Sequence, residues 1–261
     1  MGLTCESCSR GVLKKKFNLR CGEKFVIALA GNPNVGKSTV FNELTGLKQH
    51  TGNWPGKTVV NARGNYRYED MEFVLMDLPG TYSLLASSVE EQVARDFICF
   101  GQPDVTIVVV DGTCLERNLN LVLQVMELTH NVVVCVNLID EAERKGIFID
   151  IKALEEELGV PVVGTIAREG VGLEELKRRV LNVALNIENL NPKKISYSKP
   201  VEDAIKGIEP EIDRILKGKL NSRWVALRLI DGDNTIVNSI YEHIYDKKTL
   251  EIEGEEVLVN A

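Results

Sequence analysis

Residues 31–38 read Gly-Asn-Pro-Asn-Val-Gly-Lys-Ser and limit the fold of this 261-residue chain more than any other feature. They follow an apolar, β-branched run at residues 25–30 and precede a helical pattern. In that setting the motif is typical of a phosphate-binding loop, because backbone N–H groups and a helix N-terminus surround the phosphate. Lys37 is expected to reach the β- and γ-phosphate oxygens, and Ser38 to bind Mg²⁺. The residues predicted to bind nucleotide here are Gly31, Asn32, Pro33, Asn34, Val35, Gly36, Lys37, Ser38 and Thr39.

Short β-branched runs alternate with amphipathic stretches from residue 24 onward, and this alternation predicts an α/β fold. The predicted strands cover residues 25–30, 73–76, 105–110, 132–136 and 160–163. Residues 65–68 and 71–76 are separated only by Glu69-Asp70, which leaves no room for a crossover helix and predicts a hairpin. We therefore expect a phosphate-loop domain with a mixed, mostly parallel sheet that contains one antiparallel strand.

The strand pattern fades after Gly172, and turn-forming residues interrupt the chain between residues 189 and 200. Helical spacing resumes at residues 201–216, 222–230 and 235–245. We predict an N-terminal Cys-containing extension at residues 1–23, the phosphate-loop domain at residues 24–190 and a small all-helical domain at residues 191–261.

Net charge and hydropathy argue against a nucleic-acid partner, a membrane-spanning segment and a secretory signal. The net charge of −7 offers no concentrated basic surface, so no nucleic-acid partner is expected. The apolar runs are far shorter than the roughly 20 residues that span a bilayer, and residues 1–11 lack the apolar core of a secretory signal. We expect the chain itself to be soluble, with its six cysteines in a reducing cytosol.

Asp77-Leu78-Pro79-Gly80 ends a second predicted strand, at the sheet edge where ligands bind in open α/β folds. Asp77 is expected to hold Mg²⁺ through water, and the Gly80 N–H to face a γ-phosphate. Some nucleotide hydrolases place a water-orienting Gln at the next position, which here is Thr81. This substitution predicts slow intrinsic hydrolysis.

Two further motifs predict the base. In Asn137-Leu138-Ile139-Asp140, the carboxylate can accept hydrogen bonds from N1 and N2 of guanine, a donor pair that adenine lacks. In residues 165–168, the Ala167 N–H is expected to bind the guanine O6. The predicted base-site residues are Asn137, Asp140, Thr165 and Ala167, and they make the first domain a G domain for GTP and GDP.

Residues 52–58 are too polar and glycine-rich to be expected in a core, and they predict a mobile switch. Thr58 would close on Mg²⁺ and the γ-phosphate when GTP is bound. The alternative is a static Ω-loop anchored by a buried Trp54. The predicted catalytic residues are thus Lys37, Thr58 and Gly80, and the predicted Mg²⁺ ligands are Ser38, Thr58 and Asp77.

Together these residues resemble the N-terminal cytosolic region of the ferrous iron transport protein B family, FeoB. The resemblance covers nearly the whole chain, and its most specific motifs lie in the phosphate loop, in residues 52–59 and 77–84, in Glu91-x-x-Ala94-Arg95-Asp96 and in residues 223–233. Lys57 and Asn61 depart from the family pattern, which usually has an apolar residue and Glu there.

The resemblance implies a G domain, a helical domain likened to a nucleotide-dissociation inhibitor, and a membrane domain that passes Fe²⁺ in the intact protein. The implied partners are guanine nucleotide, the membrane transport domain of the same polypeptide and a second copy through self-association. The implied location is the cytoplasmic side of the cell membrane. G proteins with a similar Asn-Pro-Asn loop hold K⁺ beside the phosphates, which makes Asn34 the candidate K⁺ ligand; otherwise Asn34 only supports the turn.

Two other functions stay open at this point: a soluble GTPase of the ribosome-assembly or tRNA-modification type, and a nucleotide-dependent binding switch whose hydrolysis is incidental. The cysteines are also open. Cys5, Cys8 and Cys21 are either a thiol-bearing tail or part of a metal or redox sensor, since three thiols leave a tetrahedral site incomplete. Cys99, Cys114 and Cys135 fall in apolar patterns and are expected in the core.

Overall fold

The computed structural model describes residues 24–46, 49–54, 59–85 and 87–244. The chain divides into two compact units, and the boundary in the sequence lies between Tyr197 and Ser198. The predictions for Thr58 and for the cysteines at positions 5, 8 and 21 lie outside the described residues.

A seven-stranded sheet in the order β2-β3-β4-β1-β5-β6-β7 is the centre of the first unit. The strands are β1 Lys24–Gly31, β2 Gln49–Asn53, β3 Val60–Tyr68, β4 Met71–Asp77, β5 Val105–Asp111, β6 Val132–Asn137 and β7 Val162–Gly164. β3 runs antiparallel to both of its neighbours, and the other pairs are parallel. The predicted mixed, mostly parallel sheet and its hairpin are confirmed.

Two strands differ from the sequence prediction. β2 was not predicted, because its residues lack β-branched alternation; it forms because β3 extends back to Val60 and pairs Gly52 with Asn61. β7 begins at Val162 rather than at residue 160, since Pro161 has no N–H for the ladder and only its carbonyl accepts, from Val134 N at 2.9 Å.

Helices cover both faces of the sheet. They are α1 Lys37–Thr45, α2 Val89–Asp96, α3 Leu115–Leu128, α4 Ile139–Arg144, α5 Ile151–Leu158 and α6 Leu173–Ala184, and α2 continues into a π-helical turn at Phe97–Gly101. Alternate strand residues point to opposite faces: Ala28 packs in the cluster with α2, α3 and α5, whereas Leu29 packs with α1 and α6. This two-sided core holds the carboxyl ends of the parallel strands at one edge, where the predicted motifs lie.

The three described cysteines separate into two groups. Cys99 and Cys135 are buried, and burial raises the pKa of both thiols, to about 12 for Cys135. Cys114 is exposed, so its predicted place in the core is wrong. It lies at the N-cap of α3, before the first inward-facing turn of that helix.

After α6, the chain returns along the first unit before the second unit begins. Asn191 N donates to Gly159 O at 3.1 Å, and Lys193 N donates to Leu158 O at 2.9 Å. The Tyr197 hydroxyl then donates to Glu127 Oε1 at 2.6 Å. These bonds place the division after Tyr197, whereas the turn-forming residues of the sequence had suggested a boundary after residue 190.

The second unit is helical, as predicted. Its helices are α7 Lys199–Leu216, α8 Ser222–Ile230 and α9 Asn234–His243. Asn221 caps α8 by accepting from Trp224 N at 3.1 Å, and Asp233 caps α9 by accepting from Thr235 N at 3.0 Å. Throughout the described ranges, we find no helix with both the length and the apolar character that crossing a membrane requires.

Candidate nucleotide-binding site

The phosphate loop connects β1 to α1 in a conformation that needs glycine at two positions. Gly36 has φ +82°, and a Cβ there would lie 2.3 Å from Asn137 Nδ2. A Cβ on Gly31 would lie 2.7 Å from Val109 O. Asn34 also has a positive φ, of 67°, which asparagine tolerates better than most residues, and its side chain is exposed. Both glycines are therefore required by the close packing of the loop on β5 and β6.

Lys37 points back into the protein in this structure. Its Nζ donates to Leu78 O at 2.6 Å and forms an ion pair with Asp77 Oδ1. Desolvation raises the pKa of the Asp77 carboxyl, and the nearby Lys37 charge opposes that rise. Binding of a phosphate would therefore exchange these internal partners for phosphate oxygens, and it would release the Asp77 carboxylate.

The segment after β4 lies directly on the phosphate loop. A Cβ on Gly80 would be 3.4 Å from Pro33 Cα, and Thr81 N donates to Gly31 O at 3.3 Å. The Gly80 backbone is exposed, whereas the Thr81 side chain is buried. Thr81 therefore presents no group that could orient a water molecule beside the loop.

Ser83, Leu84 and Ser87, which follow Gly80 in the chain, are hydrogen-bonded to two helices. Glu91 of α2 accepts from Ser83 Oγ and from Ser87 N, both at 2.8 Å. Gln124 Oε1 of α3 accepts from Leu84 N at 2.7 Å. Sequence reasoning did not assign Glu91 or Gln124 a role, because the contact of Gln124 with Leu84 is distant in sequence.

Trp54 is buried, with its ring edge-to-face against Phe97 at 5.1 Å between centroids. The backbone N–H of Trp54 donates to Val59 O at 2.9 Å. The prediction that this stretch is too polar to pack in the core is wrong for Trp54. The alternative of a Trp54 anchor describes its position correctly.

Asn137 connects the phosphate loop to the predicted base-binding turn. Its Nδ2 donates to Val35 O at 3.0 Å. Its Oδ1 accepts from Thr165 Oγ1 at 3.1 Å and from Ala167 N at 3.0 Å. The Asn137 and Thr165 side chains are buried, so here they brace the loops rather than face an open site. The Ala167 N–H, predicted to bind guanine O6, also has a protein partner.

Asp140 lies in the first turn of α4 and binds two arginines through one oxygen. Its Oδ2 accepts from Arg144 Nη2 at 2.8 Å and from Arg168. Its Oδ1 is buried and has no hydrogen-bond partner among the described residues. The i,i+4 spacing on α4 could have predicted Arg144 as a partner. No local pattern predicts Arg168, which comes from the turn after β7.

The residues beside Lys37 fit a magnesium ion bound together with nucleotide phosphates. Ser38 begins α1 with an exposed side chain, and Asp77 is the last residue of β4. Hydroxyl and carboxylate oxygens are the hard ligands that Mg²⁺ prefers, and it commonly takes one or two carboxylates plus substrate phosphates. One aspartate and one serine are therefore sufficient as protein ligands.

The family model described as ferrous iron transport protein B matches residues 25–180, and that of the FeoB cytosolic helical domain matches residues 197–257. The Fe(2+) transporter FeoB of Shigella flexneri is 40% identical over 218 residues, which are 81% of this chain and 27% of that protein. The chain thus spans about a quarter of the length of the curated relatives it matches.

Two solved structures of the cytosolic domain of the T. maritima FeoB iron transporter are also similar. The apo form has a TM-score of 0.77 and 39% identity, and the match covers 86% of this chain and 88% of that one. GDP form I also has a TM-score of 0.77 and 39% identity, and it covers 86% of this chain and 87% of that one.

Proposed function

Because this chain belongs to the ferrous iron transport protein B (FeoB) family, in which the G domain is a GTPase, we propose that it binds GTP and GDP and hydrolyses GTP to GDP and phosphate. The observation that carries this proposal is the Asn137 amide, which joins the phosphate loop to the turn at Thr165 and Ala167. This connection supports our proposal that the phosphate loop and the Asp140 carboxylate act as one site.

Different residues bind the different parts of the nucleotide. The phosphate loop and Lys37 bind the phosphates, Gly80 faces the γ-phosphate through its N–H, and Asp140 reads the guanine edge. Ser38 and Asp77 would hold Mg²⁺, which would neutralise charge on the phosphate oxygens, and Thr58 would join them when GTP is bound. The GDP form of the T. maritima relative supports the choice of nucleotide.

We further propose that this unit regulates the passage of Fe²⁺ through a membrane domain of the same polypeptide, from the cytoplasmic side. Relatives named as Fe(2+) transporters support this role, because the chain aligns with about a quarter of their length. Self-association of the chain stays a prediction.

The test of the enzymatic proposal is phosphate release from GTP in KCl and in NaCl at equal ionic strength. The buried Thr81 side chain leads us to expect slow turnover, well below the roughly 10 s⁻¹ that is usual for enzymes. We expect K⁺ to raise it by about tenfold if Asn34 holds the ion beside the phosphates, because a positive charge there stabilises the transition state.

ATP and Lys37→Ala serve as the controls, and both are expected to give no phosphate above background. Equal rates in KCl and NaCl would reject only the K⁺ role of Asn34 and would leave the GTPase proposal intact. A protein that binds GTP but releases no phosphate in either salt would instead be a nucleotide-dependent binding switch, the alternative that Thr81 leaves open.

Magnesium dependence is expected to change with pH through Asp77. Because burial raises the pKa of this carboxyl above the ordinary 3.8, it takes up a proton at a higher pH than an exposed aspartate does. The protonated form does not bind Mg²⁺, so the Mg²⁺-dependent gain in GDP affinity should decline as the pH falls through the raised pKa. GDP affinity measured with and without Mg²⁺, from about pH 7.5 down to about pH 4.5, detects this.

The same raised pKa has a defined effect on folding. The folded protein holds the Asp77 proton more tightly than the unfolded chain, so this group's contribution to stability decreases as the pH rises from the ordinary pKa through the raised one. Asp77→Asn does not titrate and should show a small, pH-independent Mg²⁺ effect. A wild-type Mg²⁺ effect that stays constant down to the lowest pH would contradict the assignment.

A further inference from the structure

The two oxygens of the Asp140 carboxylate differ in their hydrogen-bond partners. Oδ2 accepts from Arg144 Nη2 at 2.8 Å and from Arg168 Nη2, so its two lone pairs are both taken. Oδ1 is buried and accepts from no described residue. The two oxygens of the predicted base-reading group therefore differ in their capacity for a ligand.

Guanine needs both of these oxygens. Its N1–H and its 2-amino group are adjacent donors, and a bidentate contact places one on each carboxylate oxygen. In this structure Oδ1 has no partner that the first donor would need to displace, whereas Oδ2 is saturated. One arginine must therefore leave Oδ2, or the 2-amino group stays without its acceptor.

Resting on the function proposed above, we propose that Arg168 competes with the 2-amino group of guanine for Asp140 Oδ2. Arg168 is thereby a specificity-determining residue that weakens the discrimination of guanine from hypoxanthine and speeds GDP release. The juxtaposition that supports this is the pairing of Arg168 with the base-reading carboxylate from a different loop.

Arg168 has acceptors ready when it leaves. Its Nε lies 3.4 Å from Glu169 Oε1, and its Nη1 lies 3.6 Å from Glu141 Oε1. About half of its side chain is exposed, so the guanidinium can move without opening the core. Arg144, in contrast, pairs with Asp140 within one helix, where the i,i+4 spacing keeps the two together.

The turn that carries Arg168 reinforces the competition. Ala167, the preceding residue, donates its N–H to Asn137 Oδ1 instead of to a ligand. The Ala167 N–H and the Asp140 carboxylate thus both have partners within the protein. A guanine that binds must displace the Asn137 amide oxygen and Arg168, and these partners return when it leaves.

The experiment uses the full chain and compares Arg168→Gln with wild type for GDP and for IDP, which lacks the 2-amino group. Half-exposed ion pairs contribute little, so Arg168→Gln is expected to slow GDP release about two- to fivefold. IDP release should not change, because IDP has no donor for Oδ2. The ratio of the IDP to the GDP dissociation constant should therefore rise by the same two- to fivefold factor.

Arg178→Gln is the matched control, because this arginine of α6 is equally exposed and pairs with Glu175 instead of Asp140. It should leave both nucleotides unaffected. Equal effects of Arg168→Gln on GDP and IDP, no effect on either, or faster GDP release would each overturn the inference. A wild-type protein that binds neither nucleotide would overturn the proposed function as well, which separates the two failures.

Discussion

Replacing Asp140 with asparagine is expected to lower the affinity for GDP about a hundredfold and to raise the affinity for XDP. The asparagine amide offers one donor and one acceptor, so it cannot accept from both N1–H and the 2-amino group of guanine. Xanthine carries a carbonyl in place of that amino group, which the amide N–H can meet. Because one hydrogen bond to a charged group contributes about 1.5–3 kcal/mol, its loss and the new donor–donor clash account for this factor.

Competition between GDP, XDP and ADP for a fluorescent GDP analogue measures the change. Asp150→Asn is the control: Asp150 caps α5 by accepting from Ala153 N at 3.0 Å, and it is not among the base-site residues. A variant at position 140 that still prefers GDP would show that another group reads the base.

Asn137→Ala is expected to destabilise the first unit and to weaken nucleotide binding together. The substitution leaves Val35 O and Ala167 N without their partner in a buried environment. Each such group costs about 1–3 kcal/mol, so we expect a loss of about 3 kcal/mol in the free energy of unfolding. For a unit of this size, that lowers Tm by about 6–12 °C. Urea and thermal unfolding of the nucleotide-free protein measure it.

Asn120→Ala provides the same chemical change on an exposed position of α3. It is expected to change the free energy of unfolding by less than about 0.5 kcal/mol. If Asn137→Ala unfolds at the temperature of Asn120→Ala, the three hydrogen bonds of Asn137 do not hold the loops together. A normal Tm with lost GDP binding would instead make Asn137 a direct ligand.

The sheet was predictable where local pattern and burial agree. β5 and β6 are nearly continuous runs of valine, and burial on both faces of a parallel sheet favours such runs. β2 was not predictable, because Gln49–Asn53 pairs only with the extended half of β3. The burial of Trp54 depends on Phe97, which lies in the π-helical turn after α2. Contacts between residues distant in sequence decided both outcomes.

The same contrast between local sequence pattern and contacts distant in sequence applies to the candidate site. The turn of the phosphate loop follows from its glycines, because Gly36 adopts a backbone conformation that other residues disfavour. The partners of its charged groups did not follow from sequence. Lys37 meets Asp77 and Asp140 meets Arg168 only after the strands align their carboxyl ends at one edge. One sequence therefore specifies loop shape locally and ion pairing only through the fold.

The pairing of Lys37 with Asp77 affects the stability of the nucleotide-free protein. An empty site with an isolated lysine would be costly, whereas here the lysine is held by a carboxylate and by the Leu78 carbonyl. These contacts lower the free-energy cost of leaving the proposed phosphate site empty. We therefore expect nucleotide exchange to pass through this empty form without a separate protein that stabilises it.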